Sequence, residues 1–316
     1  MNIIGIERVV YGVKDLAACG RYLTDWGFVS AGQGEYETAE KTVVRLRAQD
    51  DASLPAIRHK SAFFDGSCGR EVIWGVDSGD TLSAIAGELS RDRIVTEDAE
   101  RTLHSQDDAG NAVGFCVTKR VPVVQPPLAF NLVGAPVRIN MPADGAAKNM
   151  VARPLRINHV VYMAVDGEAA QANARFYQSR LGFKLSDNVG DHGFFMRPGA
   201  SHDHHNILVE AIAPGSFGIQ HTAYEFRDLD HIMHRGRHLE EQGWKSHNGP
   251  GRHTVGSNLT WYFWTPMGGL MELISDMDYL TDEWQPRFID PKVAGRPIAW
   301  TARPNGDNFR FGVPSK

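Results

Sequence analysis

Two hydrophobic patterns alternate along this chain, and the alternation repeats. Near the N-terminus, "GIERVVYGVKDLAACGRYLTDWGF" opens with a β-branched run, continues as an alanine-containing stretch and ends in Tyr22-x-x-x-x-Gly27-Phe28. From residue 156, "RINHVVYMAVDGEAAQANARFYQSRLGF" follows the same order and ends in Tyr177, Gly182 and Phe183. β-Branched runs favour extended backbone and alanine-rich runs favour helix. Each segment therefore predicts a strand followed by a helix. A second echo pairs "REVIWGVDSGDTLSAIAGEL" with "QHTAYEFRDLDHIMHRGRHL". The chain thus predicts an internal duplication: an α+β protein of four βαβββ modules, two in each half.

Between the halves, Pro122, Pro126, Pro127, Pro136, Pro142 and Pro154 suit an extended connector better than a core element. The expected organisation is a first domain over 1–120, a connector over 121–154, a second domain over 155–282 and a tail over 283–316. Near the end of the second domain, "LTWYFW-TPMGG-LMELI" reads as a hairpin, with Gly268 available for a left-handed turn position. Centring it on Met267 places Tyr262 opposite Glu272, so the two share a face while Trp261 and Phe263 point the other way. A slip of one residue would undo this.

Composition narrows the function classes. The 316 residues are 42% hydrophobic and 22% charged, with a net charge of −5 and no basic block suited to nucleic acid. The N-terminus lacks a cationic leader with a long apolar run, and no stretch reaches membrane-spanning length. Cys19, Cys68 and Cys116 form no close pair, which argues for a reducing, cytoplasmic setting and against a thiolate metal site. Of 13 histidines, only His59 and His104 precede residue 150. His231, His234 and His238 recur at helical spacing and read as a solvated helix face. Trp261, Trp264 and Trp284 read as packing residues.

The duplication turns the remaining histidines into a chemical signal. Opposite His159 the first half has Arg8, opposite His221 it has Glu71, and opposite Glu272 it has Gly114. The three differ together, which suggests one metal-binding half and one degenerate half. Two imidazoles and a carboxylate without thiolates suit Fe(II) or Mn(II) with open coordination positions, and zinc also accepts such donors.

On these residues the chain resembles the type I extradiol catechol dioxygenases of the vicinal oxygen chelate superfamily. "NHVVY", "IQHTAYEF" and "RHTVGSNLTWYFWTPMGGLMEL" fall in that family's order. The resemblance implies two tandem domains, each a curved mixed sheet forming an open barrel, with one metal in the second. It implies that His159, His221 and Glu272 hold Fe(II), or Mn(II), and that His253 and Tyr262 line the substrate side. Within "SHDHHNILVE", His205 best matches the acid–base histidine, with His204 as the neighbouring candidate. The implied reaction inserts both atoms of O₂ into a catechol-type ring, in a homo-oligomeric enzyme of aromatic-compound degradation. Val161 matches the biphenyl-diol branch, whereas Val255 and Gly256 depart from it. A competing reading follows from spacing. Glu210 lies as far after His159 as Glu272 lies after His221. That gives a four-donor set, His159, Glu210, His221 and Glu272, resembling the glyoxalase and epimerase branch, which uses a divalent metal without O₂. A metal-free binding protein of the same fold is the third reading.

Overall fold

The computed structural model describes residues 1–61, 64–148, 150–291 and 298–303. Four βαβββ units follow one another. The first comprises β1 (Ile3–Val13), α1 (Leu16–Asp25), β2 (Val29–Gly32), β3 (Glu35–Glu37) and β4 (Val43–Ala48). The second comprises β5 (Cys68–Val76), α2 (Gly79–Leu89), β6 (Thr96–Glu97), β7 (Leu103–Gln106) and β8 (Ala112–Val117). The third comprises β9 (Arg156–Met163), α3 (Gly167–Leu181), β10 (Lys184–Val189), β11 (Gly193–Arg197) and β12 (Ile207–Glu210). The fourth comprises β13 (Gly218–Glu225), α4 (Leu229–Glu241), β14 (Ser246–His253), β15 (Leu259–Trp264) and β16 (Leu270–Ser275). Two later strands, β17 (Arg287–Ile289) and β18 (Ile298–Thr301), come from the segment read as a tail. Residues 292–297 and 304–316 of that tail lie outside the described residues.

The helices start where the sequence supplies a side-chain acceptor. Asp15, Ser78, Asp166 and Asp228 accept from the backbone N–H of Ala18, Thr81, Ala169 and His231, each three residues on. Each thereby satisfies a donor that the first helical turn leaves open. α3 ends at Gly182, whose φ of 74° gives the left-handed stop that glycine adopts without steric cost.

Pairing builds two mixed sheets. The first half forms an eight-stranded sheet in the order β2-β3-β4-β1-β5-β8-β7-β6. The second forms a ten-stranded sheet in the order β17-β10-β11-β12-β9-β13-β16-β15-β14-β18. In both, the first strands of the two modules pair antiparallel at the centre, and each pairs parallel with the last strand of its own module. A single buried apolar cluster runs through both halves. Tyr22 packs edge-on against Trp244 and Trp26 against Tyr224 and Phe263, while Trp74 meets Phe183. The halves therefore share a core.

A turn at the end of β15 also joins them. Gly268 has φ of 88°, and a Cβ there would lie 2.1 Å from the Ser67 carbonyl oxygen of the first half. Gly268→Ala should cost about 1–3 kcal/mol for the left-handed backbone alone, plus the clash. The measurement is the urea midpoint, and an unchanged value would mean that the turn and the Ser67 segment can part freely.

Candidate metal centre and active site

Three adjacent central strands of the second sheet carry the candidate donors. In the β9–β13 ladder, His159 lies opposite Ala223 and His221 opposite Val161. Residues two apart share a face, so both imidazoles leave the sheet on the same side. Glu272 on β16 pairs with Ala223 and joins them there. His159 Nε2 lies 3.2 Å from His221 Nε2, and Glu272 Oε2 lies 3.1 and 3.3 Å from the two nitrogens. All three side chains are buried, and no second such group of possible metal donors occurs among the described residues.

The outer contacts decide what these atoms can do. His159 Nδ1 faces Asn158 Oδ1 at 3.0 Å, and His221 Nδ1 faces Gln220 Oε1. An amide oxygen only accepts, so each Nδ1 carries the hydrogen and each Nε2 presents a lone pair. Glu272 Oε1 accepts from the Thr260 hydroxyl, while the buried Oε2 has no hydrogen-bond partner. Three electron-rich atoms thus converge in a space shielded from water. That arrangement repels itself unless a cation sits among them, and the donor set fits a divalent metal ion.

Around the triad lies a cavity with mixed walls. His253, Tyr262 and His205 line it, with Val161, Val189, Phe195, Leu208, Ile212 and Ile289 supplying apolar surface. Tyr262 pairs with Glu272 across the hairpin in the expected register, and its hydroxyl lies 3.0 Å from His253 Nε2. His253 is the last residue of β14, and its N–H pairs with Asn258 O. His205 packs against His159, ring centroids 4.4 Å apart and planes tilted by 45°, and burial together with His159 and His204 holds its imidazole well below the usual histidine value. Of the two neighbouring candidates, His205 faces the cavity and His204 turns away towards Asp187. Two contributions escaped the sequence reading. Asn158 and Gln220 each immediately precede a donor histidine, a signal visible as "NH" and "QH". Ile289 and Pro291 reach the cavity from the C-terminal segment, with no sequence signal to find them.

Comparisons with known proteins agree with this geometry. Residues 156–273 match the model of the Glyoxalase/Bleomycin resistance protein/Dioxygenase superfamily. Over 282 residues the chain is 28% identical to Metapyrocatechase 2 of Cupriavidus necator, spanning 87% of this chain and 82% of that protein. The second half of the chain is thus similar to this superfamily, and the named relative extends the similarity into the first half. Among solved structures, the chain is similar to a Mn(II)-bound glyoxalase from Novosphingobium aromaticivorans, with TM-score 0.72, 22% identity and coverage of 100% and 95% of the two chains. A 2,2',3-trihydroxybiphenyl 1,2-dioxygenase from Sphingomonas wittichii gives TM-score 0.65 and 16% identity, with coverage of 96% and 99%. At such identities the two structures speak for the fold.

Strand register corrects the four-donor expectation. The position equivalent to Glu272 is found by counting two residues past the first-strand position and crossing to the module's last strand. For His221 this leads through Ala223 to Glu272, whereas for His159 it leads through Val161 to Leu208. Glu210 pairs with Met163 instead, lines the cavity wall and lies outside the donor triad. The equal sequence spacing misleads because the stretch from the helix end to the last-strand position is shorter in the third module (Leu181 to Leu208) than in the fourth (Glu241 to Glu272), which more than offsets the longer α3.

The first half carries a different device at the matching place. There Gly114 pairs with His104, which thus stands where Tyr262 stands in the second half. His104 Nδ1 lies 2.7 Å from buried Glu71 and Nε2 lies 3.2 Å from Asp98, while Arg8 pairs with Glu100. The hydrogen bond to Glu71 raises the His104 imidazole against the opposing effect of burial. A histidine raised in the folded state adds stability that is fully present below its unfolded value and lost as pH rises through its folded value. His104→Gln should therefore lower the thermal midpoint, relative to the wild type, more at about pH 6 than at about pH 9. Equal losses at both would show that the imidazolium contributes nothing.

Proposed function

We propose that the chain is an extradiol catechol dioxygenase, with residues 155–282 as its catalytic domain and residues 1–120 as a copy that binds no metal. The observation that carries this reading is the buried triangle of His159, His221 and Glu272 opening onto a cavity lined by His205, His253 and Tyr262. The name of the Cupriavidus relative supports it. In this reading the triad holds Fe(II), with Mn(II) the other candidate, since both take imidazole and carboxylate donors. When bound, such an ion supplies a site where the catechol oxygens and O₂ meet and exchange electrons.

The residues of this chain do the rest. His253 and the Tyr262 hydroxyl, already in mutual contact, offer hydrogen bonds to a substrate oxygen and fix the ring plane. Apolar walls at Val161, Phe195 and Leu208 exclude water from the aromatic face. His205, neutral at neutral pH, takes a proton on the oxygen side and returns it later. The net reaction breaks one ring carbon–carbon bond next to the diol. Both oxygen atoms end in a muconic semialdehyde-type product. Three cysteines, all free and buried, accord with a reducing, cytoplasmic setting, and no helix among the described residues is long and apolar enough to cross a membrane. A homo-oligomer in the degradation of aromatic compounds is the context this reading implies.

The test is an aerobic assay of iron-loaded protein against a catechol panel, following O₂ uptake and the yellow ring-opened product. Inertness across the panel with verified iron would sink the reading.

A further inference from the structure

A line of buried polar side chains leads from the cavity to the C-terminal segment, and the reaction as outlined does not use it. His205 Nδ1 turns away from the cavity and meets His204 Nδ1 at 3.1 Å. His204 Nε2 meets Asp187 Oδ2 at 2.8 Å, and both side chains are 0% exposed. Asp187 lies on β10, paired with Arg287 on β17. Arg287 holds Asp187 Oδ1 through its backbone N–H and Nε, both at 3.0 Å, and holds Oδ2 through Nη2 at 2.5 Å. Trp284 secures the guanidinium, which stacks 4.8 Å above its ring, and donates to the Ser186 carbonyl at 2.8 Å.

Counting hydrogens along this line leaves one consistent arrangement. Burial pushes the Asp187 carboxyl up, but His204 and Arg287 outweigh it and hold it below its ordinary value. An ionised carboxylate only accepts, so His204 Nε2 carries a hydrogen. Arg287 already balances the Asp187 charge, and a second buried cation at His204 would have no counter-charge. His204 Nδ1 is then a lone pair, and the hydrogen between the two rings sits on His205 Nδ1. His205 Nε2 is left bare in a ring that lines the cavity.

We propose that Asp187 and His204, clamped by Arg287 of the C-terminal strand, are positioning residues that hold His205 in one orientation and one tautomer, with Nε2 presented to the substrate as a proton acceptor. The catalytic meaning rests on the dioxygenase reading above; the hydrogen-bond line itself does not. It also gives β17 a reason to close the sheet beside β10, since removing it would free Asp187 to swing.

Two measurements test this. In iron-loaded protein with catechol as substrate, His204→Phe keeps the ring's bulk without its nitrogens. Its kcat should fall about 10–100-fold while KM moves less than about threefold, with iron content and Tm unchanged. His204→Asn, whose Oδ1 replaces the Nδ1 lone pair, should recover most of the loss. Wild-type kcat in His204→Phe, or a change in KM alone, overturns the proposal. The second measurement is independent of turnover and of how the variants fold. In ¹⁵N-histidine spectra of the zinc-loaded wild type, His205 should carry hydrogen on Nδ1 and none on Nε2. Hydrogen on Nε2 overturns the proposal whether or not catechol is cleaved. A wild type that cleaves no catechol would instead sink the dioxygenase reading and leave the spectra to decide this one.

Discussion

Glu272→Gln should yield a folded protein that no longer retains its metal and no longer turns over. The substitution preserves shape and hydrogen-bonding capacity towards Thr260 but removes the negative charge of the only carboxylate in the triad. Two neutral imidazoles would then have to hold a dication in a buried site without a counter-ion, and the cost of burying an unbalanced charge is large. Losing even an outer-shell partner of a metal ligand typically costs about 10–100-fold in affinity, and a direct anionic ligand should cost at least that. Iron content after dialysis and the rate of ring opening check this together. Full iron occupancy with normal turnover would rule out Glu272 as a ligand.

His205→Ala should separate binding from chemistry. His205 packs beside His159 without joining the triangle of donor atoms, so its removal leaves all three in place. Metal content should be unchanged. A positioned acid–base group contributes about 10²–10⁴-fold, and kcat should fall by that order. The two variants thus form a pair: Glu272→Gln loses metal and turnover, His205→Ala turnover alone. Steady-state rates near the wild type in His205→Ala would reject the acid–base role. Loss of iron would instead move His205 into the coordination shell.

Much of this architecture is legible in local sequence because its causes are local. The four modules follow from β-branched runs, alanine-rich stretches and the Asp or Ser that caps each helix, all acting over a few residues. The Tyr262–Glu272 pairing belongs to the same class: a short turn sets hairpin register, and alternation then assigns every face. His159, His221 and Glu272 stand out because the duplication supplies an internal control in Arg8, Glu71 and Gly114.

Other assignments depend on ladders between distant segments, and there spacing is a poor guide. Glu210 is equivalent to Glu272 by count alone, yet the stretch after α3 is shorter than the stretch after α4 by more than the extra length of α3, and Leu208 takes the place. His204 and His205 are neighbours with opposite fates, and only the packing of their loop against β10 decides which one sees the cavity. Sequence by itself determined the modules, their duplication and the choice of the three side chains that cluster, because short-range propensity and repeat comparison suffice for these. Tertiary structure alone decided the pairing of Asp187 with Arg287, the cavity wall from Ile289 and Pro291, and the core shared between halves. These contacts join residues far apart in the chain, and their identity is set by inter-strand register, which a single-residue shift would reverse.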